Sequence, residues 1–250
     1  MEEKKSLHCQ NFVTVRLLSQ GSFSSVYLIK DPDDNDKNYV LKKILRSNYK
    51  VNALTESEIK ILKKLYHCEY VSQLLENTKD ENYFYLYFPF HNFIDLFNLI
   101  ENDKLDFQSK KIISLNLAKA IIAIHELNII HDDLKPENVI CNTETLQVQL
   151  IDFNLSADLD SDEFISKGGS ESYKSPEKKN SKIFDGFKSD TYSYGIILFV
   201  TFLKFVPENI YYFYQATRIL KLFNLFSSLV AENPKDRISL TEAIKDKFFE

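Results

Sequence analysis

The sequence predicts an α+β fold in two lobes, a small β-rich part over about residues 12–90 and a larger helical part over about 91–249. Three observations carry this. Runs of β-branched and aromatic residues crowd the first third of the chain. After Phe90 the apolar residues recur at helical spacing instead. No repeat and no long Pro/Gly/Ser linker divides the chain, so the two halves belong to one architecture. Two lobes of different make leave a cleft, a usual place for a ligand.

Taken in order, NFVTVRLLS and SSVYLIKD are strands around a Gly-containing turn, KDPDDNDKN is a polar hairpin loop and YVLKKIL is a third strand. TESEIKILKKLYH switches to a helix: Ile61, Leu62 and Leu65 share one face while Lys60, Lys63 and Lys64 look away. YVSQLLENT and NYFYLYFPF follow as two strands around a KDEN turn. Beyond them, IDLFNLIEN and SKKIISLNLAKAIIAIHEL are helices, VQLIDF is a strand, and the chain is helical from about Lys188. YSYGIILFVTFLKFV is the longest apolar region; Lys204 interrupts it and its core is too short to span a bilayer, so it reads as a buried helix.

Composition bounds the function. Of 250 residues, 44% are hydrophobic and 27% charged, as in ordinary globular proteins, and the net charge of −5 is dispersed, which argues against general binding to nucleic acid or anionic membrane. Cys9, Cys68 and Cys141 form neither a metal spacing nor a disulfide framework and read as reduced thiols of an intracellular protein, in the cytoplasm or nucleus. The charged N-terminus MEEKKSLHCQ lacks the apolar stretch of a secretory signal.

Residues 131–138 read HDDLKPEN, and IDFN follows about a dozen residues later. Around them, in order, stand LLSQGSFSSVY, VLKK, TESEIKIL, SPE, SDTYSYGIIL and ENPKDRISLTEAI. The series resembles the eukaryotic protein kinase superfamily of the serine/threonine type, over about residues 12–249. One such match is weak, but their shared order is specific. Read alone, Lys42 is a strand lysine in water, Glu58 a solvated helix acid and Asp152 the start of a turn.

The resemblance implies an ATP- and Mg²⁺-dependent transfer of the γ-phosphate to Ser or Thr of a protein substrate, by a monomer. It makes Asp133 the base that orients the substrate hydroxyl and places Lys135 near the transferred phosphate. Asn138 and Asp152 would hold Mg²⁺ through hard oxygens. Leu18, Gly21, Val26, Lys42 and Glu58 would bind the nucleotide, Lys42 at the α- and β-phosphates with a helix acid as its partner. Glu56 and Glu58 compete for that pairing; Glu58 has the family's usual spacing and shares a face with Leu62 and Leu65. His131, Glu177, Arg237 and Asp190 read as scaffold, with Glu177 and Arg237 a buried ion pair and Asp190 fastening the catalytic loop.

Departures are informative. The positions of the G-x-G-x-x-G loop hold Ser19, Gly21 and Ser24, which predicts weakened nucleotide affinity and tighter binding for Ser24→Gly. The metal motif ends in Asn154 rather than Gly, and Asn tolerates the positive φ that a turn there would need. Asp132 replaces an Arg that in many relatives clamps a phosphate on the activation segment, so activity without such phosphorylation is expected. Ser170 aligns with a position that contacts the catalytic loop. Pro89 stands where a hinge acid is usual, and Phe88 narrows the back pocket. Only 47 positions separate Asp190 from Arg237, shorter than usual, and YYFYQ near residue 211 is expected to cap the exposed core. The alternatives are a pseudokinase that scaffolds a partner and a small-molecule kinase of the same fold.

Overall fold

A computed structural model describes residues 12–32, 37–161, 164–181, 184–205 and 223–250. It divides into two compact units: one runs to His67 and takes in Ser72–Asn92, the other takes in Cys68–Val71 and Phe93–Glu250.

The first unit is an antiparallel sheet with one helix. Strands β1 (Val13–Gln20), β2 (Ser24–Lys30), β3 (Asn38–Leu45), β4 (Glu76–Lys79) and β5 (Tyr83–Pro89) lie in the order β1-β2-β3-β5-β4. Helix α1 (Tyr49–Lys64) starts where the Asn48 side chain accepts a hydrogen bond from Val51 N at 3.0 Å, and Lys63 and Lys64 complement its C-terminal dipole. Ile61, Leu62 and Leu65 are buried with Ile29, Ile44, Phe84 and Leu86, so the apolar helix stripe and the alternate residues of the strands make this unit's core.

Two expectations are corrected here. The helix begins six residues before Thr55, because the Asn48 cap lies upstream of the periodic stretch. Tyr70–Leu75 is not strand: only Glu76–Lys79 pairs with β5. Val71 instead makes an isolated parallel bridge to Leu150, Val71 and Leu74 are buried, and Leu75 N donates to Tyr87 O at 2.8 Å. The apolar run was therefore packing a crossing segment, which short apolar runs do as readily as strands.

The second unit is mostly helical. After β6 (Ile94–Asp95) come α2 (Leu96–Glu101), capped by Asp95, and α3 (Phe107–Glu126), capped by Asp106. Ile113, Leu117, Ala120, Ile121 and Ile124 form the buried face of α3. Short strands follow: β7 (Ile129–Ile130), β8 (Val139–Cys141), β9 (Val148–Leu150) and β10 (Ala157–Asp158), pairing as β6-β8-β9 and β10-β7. Strand signals this short are invisible to periodicity, so only β9 was legible, and it stops at Leu150 rather than running through Phe153. The short helix α4 (Pro176–Asn180) precedes α5 (Gly186–Leu203), which is buried on all sides and reaches a left-handed Lys204. Helices α6 (Phe223–Leu229) and α7 (Leu240–Ala243) end the unit, α7 with a capping box between Ser239 and Glu242. No helix among the described residues is long and apolar enough to cross a membrane. Cys68 and Cys141 are in no disulfide among the described residues; Cys9 and the YYFYQ stretch lie outside the described residues.

Candidate active site

Candidate residues lie in both units. In the first, β3 is a central strand whose Lys42 lies directly opposite Val26 on β2 and Leu86 on β5, and directly opposite residues share a sheet face. Lys42 Nζ lies 2.6 Å from Glu58 Oε1 on α1, with side-chain exposures of 12% and 2%. Glu56, two positions earlier on the helix, is exposed and sits 3.6 Å from Lys79. The helix turn thus selects between the two acids: Glu58 is on the face that packs on the sheet, Glu56 is not. Leu18 falls at a break in the β1–β2 register, and Gly21 N donates to Ser24 O at 2.7 Å to close the turn. Among Ser19, Gly21 and Ser24 none has positive φ, so the two serines impose no backbone strain.

In the second unit the loop between β7 and β8 is pinned from behind. Asp190, in α5, accepts from His131 N at 2.9 Å and Asp132 N at 3.1 Å, and its carboxylate lies 3.0 Å from His125 Nε2. Burial pushes the Asp190 carboxyl up, but the hydrogen bond and charge of His125, with the contacts to His131, outweigh it and hold the group below the ordinary carboxylate value. His131 Nε2 lies 3.1 Å from Ile151 O and Nδ1 lies 3.4 Å from Asp133 N, a pair that the tautomer protonated at Nε2 satisfies together. Its ring packs against Phe153 with centroids 4.8 Å apart and planes tilted by 50°.

Held in this way, Asp133 is nearly buried. Its Oδ1 accepts from Ser170 N at 2.8 Å and from Ser170 Oγ at 2.9 Å. Its Oδ2 faces Lys135 Nζ and Asn138 Nδ2, both at 3.3 Å. Lys135 Nζ also donates to Ser170 Oγ at 3.0 Å, and Asn138 Nδ2 to Asp133 O at 2.8 Å. The β8–β9 hairpin then brings Asp152 alongside: Ile151 N donates to Asn138 O at 3.1 Å, so Asp152 follows directly on a residue bonded to Asn138.

The left-handed residue of that motif is Asp152, at φ 64°, and not Asn154. The expectation of a positive φ at Asn154 is therefore corrected; Asp, like Asn, adopts that region at modest cost. Asn154 instead buries its Oδ1 without a hydrogen-bond partner.

One neighbourhood was not foreseen. Asp132, at φ 62° and 2% exposed, is held by Lys178 on α4, whose Nζ lies 2.6 Å from Oδ1 and also donates to the Asp132 carbonyl. Ser166 Oγ donates to Oδ2 at 2.8 Å and Lys167 N to the same oxygen at 3.4 Å. Burial raises the Asp132 carboxyl above the ordinary value, and Lys178 and Ser166 offset this only in part. No spacing signal could have found Lys178, which is 46 residues from its partner. Scaffold contacts lie farther out: Arg237 meets Glu177 with both terminal nitrogens, at 2.7 and 3.1 Å, and caps Ala231 O and Lys188 O.

Comparison with known sequences decides the family. The family model described as Protein kinase domain matches residues 12–249. The chain belongs to the protein kinase domain family. Similar kinases include the carbon catabolite-derepressing protein kinase of Saccharomyces cerevisiae, 28% identical over 97% of this chain and 40% of the relative. The CBL-interacting serine/threonine-protein kinase 18 of Arabidopsis thaliana is 28% identical over 94% of this chain and 48% of its own length. The serine/threonine-protein kinase unc-51 of Caenorhabditis elegans is 30% identical over 93% of this chain and 30% of its own length. The chain thus spans less than half the length of these relatives. A protein kinase domain implies ATP and a divalent cation in general.

Proposed function

We propose that this kinase domain transfers the γ-phosphate of Mg-ATP to a Ser or Thr hydroxyl of a protein substrate. The observation that carries this reading is the Asp133 environment. One carboxylate oxygen is occupied by Ser170, while the other faces Lys135 and Asn138, which leaves a nearly buried but charge-compensated acceptor beside an ammonium. Such an acceptor orients a substrate hydroxyl and takes its proton late in the transfer, worth about 10²–10⁴-fold. Lys135 neutralises charge that develops on the moving phosphoryl group.

Asn138 spends its amide N–H groups on Asp133, so its carbonyl oxygen is the natural ligand for a cation, with the Asp152 carboxylate as the second. Two hard oxygen donors fit Mg²⁺, which takes few protein ligands and relies on nucleotide phosphates for others. A bound Mg²⁺ would neutralise phosphate charge. Lys42, oriented by Glu58, supplies a fixed positive charge for the α- and β-phosphates, and Leu18, Gly21 and Val26 belong to the same nucleotide-binding set. The two lobes, about 12–90 and 91–249, would act as one catalytic domain.

A pseudokinase reading would draw on the serines at positions 19 and 24, on Asp132 and on Asn154. The backbone at the two serines needs no glycine, which weakens the first of these motives. The test is incorporation of labelled phosphate into a generic protein substrate. Asp133→Asn and Lys42→Met should each lower it at least about 100-fold. Nucleotide binding with no incorporation by the unaltered chain would decide for the scaffold instead.

A further inference from the structure

The mechanism above makes no use of the turn that follows Ser170, yet that turn is a firmly held, charged platform. Ser170 touches Asp133, and Tyr173 N donates back to Ser170 O at 3.0 Å, so Glu171–Tyr173 forms one short 3-10 turn leading away from the acceptor acid. Helix α5 pins the far end. Ser193 Oγ donates to Tyr173 O at 2.8 Å, and the buried hydroxyls of Ser175 and Ser189 meet at 3.0 Å. Lys174 lies between these two anchors. Its Nζ is 2.8 Å from Glu171 Oε2, while Nζ of Lys179, on α4, is 3.9 Å from Glu171 Oε1. Two ammonium groups thus share one carboxylate. The neighbouring charges are already matched, Glu177 by Arg237 and Lys178 by Asp132. Among the described residues the platform keeps one positive charge in excess, and it is open to solvent, with side-chain exposures of 73% at Glu171 and 47% at Lys179.

We propose that Lys174 and Lys179 are specificity-determining residues that select a protein substrate with an acidic side chain close to its target Ser or Thr. This deepens the phosphotransfer reading and rests on it. An incoming carboxylate supplies the charge the platform lacks: with Glu171 it makes two acids for two ammonium groups. Distance sets where that acid lies in the substrate. A 3-10 rise of about 2 Å per residue carries the chain roughly 8 Å from Ser170 to Lys174. An extended substrate advances about 3.3 Å per residue, so the acid belongs within about three residues of the target. Glu171 is the group that could instead draw a basic side chain. It already faces both lysines, and the hydrogen bond from Lys174 holds its carboxyl below the ordinary value. Burial, and after it the charge of Glu137, push the Tyr173 hydroxyl up, so negative charge already stands at that end of the platform. An incoming acid is therefore favoured only where the lysines are, which makes the selection one of position as well as of charge.

The test measures kcat/KM of the full chain with Mg-ATP on short alanine-based peptides that hold one Ser. Asp, Lys or Ala is placed in turn at each of the three positions on either side of it. Asp at one or two of these positions should raise kcat/KM about fivefold over Ala, mainly through KM, and Lys there should lower it. The preference should shrink in about 1 M salt, which screens charges beyond roughly 3 Å. Lys174→Glu should reverse it, to Lys over Asp, with the Kd for ATP unmoved; a merely structural role would lower all peptides alike. If Lys174→Glu does not fold, Lys179→Glu carries the same comparison. No gain from Asp at any position, a preference for Lys in the unaltered chain, or an unchanged Asp preference in the charge-reversed variant overturns the proposal. If the unaltered chain phosphorylates no peptide, the phosphotransfer reading fails, and fluorescence anisotropy of labelled Asp and Ala peptides decides the selection separately. About fivefold tighter binding of the Asp peptide, reversed in Lys174→Glu, upholds it; equal affinities overturn it.

Discussion

Gly168 and Gly169 show how a single residue's surroundings decide what it tolerates. Both have positive φ, but an added Cβ at Gly168 meets nothing closer than Leu155 Cδ1 at 3.9 Å, whereas at Gly169 it strikes backbone and ammonium at 2.9 Å. Gly169→Ala is expected to destabilise by about 1–3 kcal/mol in urea unfolding, more than Gly168→Ala, because only the former adds a clash to the dihedral strain. Similar costs for the two would show that backbone conformation alone governs. At the same scale, the sequence favoured Glu58 over Glu56 as the partner of Lys42, by the family's usual spacing and by the face it shares with Leu62 and Leu65. Which one meets the lysine depends on which faces the sheet, and that is a property of the packed helix.

Between elements, a buried ion pair ties α4 to the turn before α7. Arg237 has a fully buried side chain and Glu177 is its carboxylate partner at 2.7 Å. Removing one member leaves the other charge stranded, so Glu177→Ala should lose about 3–5 kcal/mol of unfolding free energy, and Glu177→Gln less, since it retains one acceptor for the guanidinium. A loss under about 1 kcal/mol for the alanine variant would mean that the two carbonyls on Arg237 suffice without the acid. Elements also mark where legibility ended. Helix α3 was readable because its apolar stripe spans five turns, while β7, β8 and β10 are two or three residues long and have no period to read. The stretch Tyr70–Leu75 looked like a strand because an apolar run carries no label of what it packs against.

For the molecule as a whole, acid sensitivity follows from Asp190. Its carboxyl titrates below the ordinary value in the folded state, so it contributes stability that is present above the unfolded Asp pKa, about 3.9, and lost as pH falls through the lower folded value. Asp132, one loop contact away, is raised by burial and has the opposite sign. The difference in unfolding free energy between the unaltered chain and Asp190→Asn should therefore be largest above about pH 4 and shrink on acidification. A difference independent of pH would show that the loss is one of shape alone. What the sequence by itself determined was the two-part α+β architecture and the ordered set Lys42, Asp133, Asn138 and Asp152. Periodicity suffices for the architecture, and the resemblance of the ordered motifs to the protein kinase family for the candidate set, because both are written within single elements and in the order of elements along the chain. Only the tertiary structure decided that Asp152 and not Asn154 turns left-handed, and that Asp132 finds Lys178 and Ser166. Those outcomes depend on which distant groups share a buried volume, where each donor must find an acceptor because water cannot supply one.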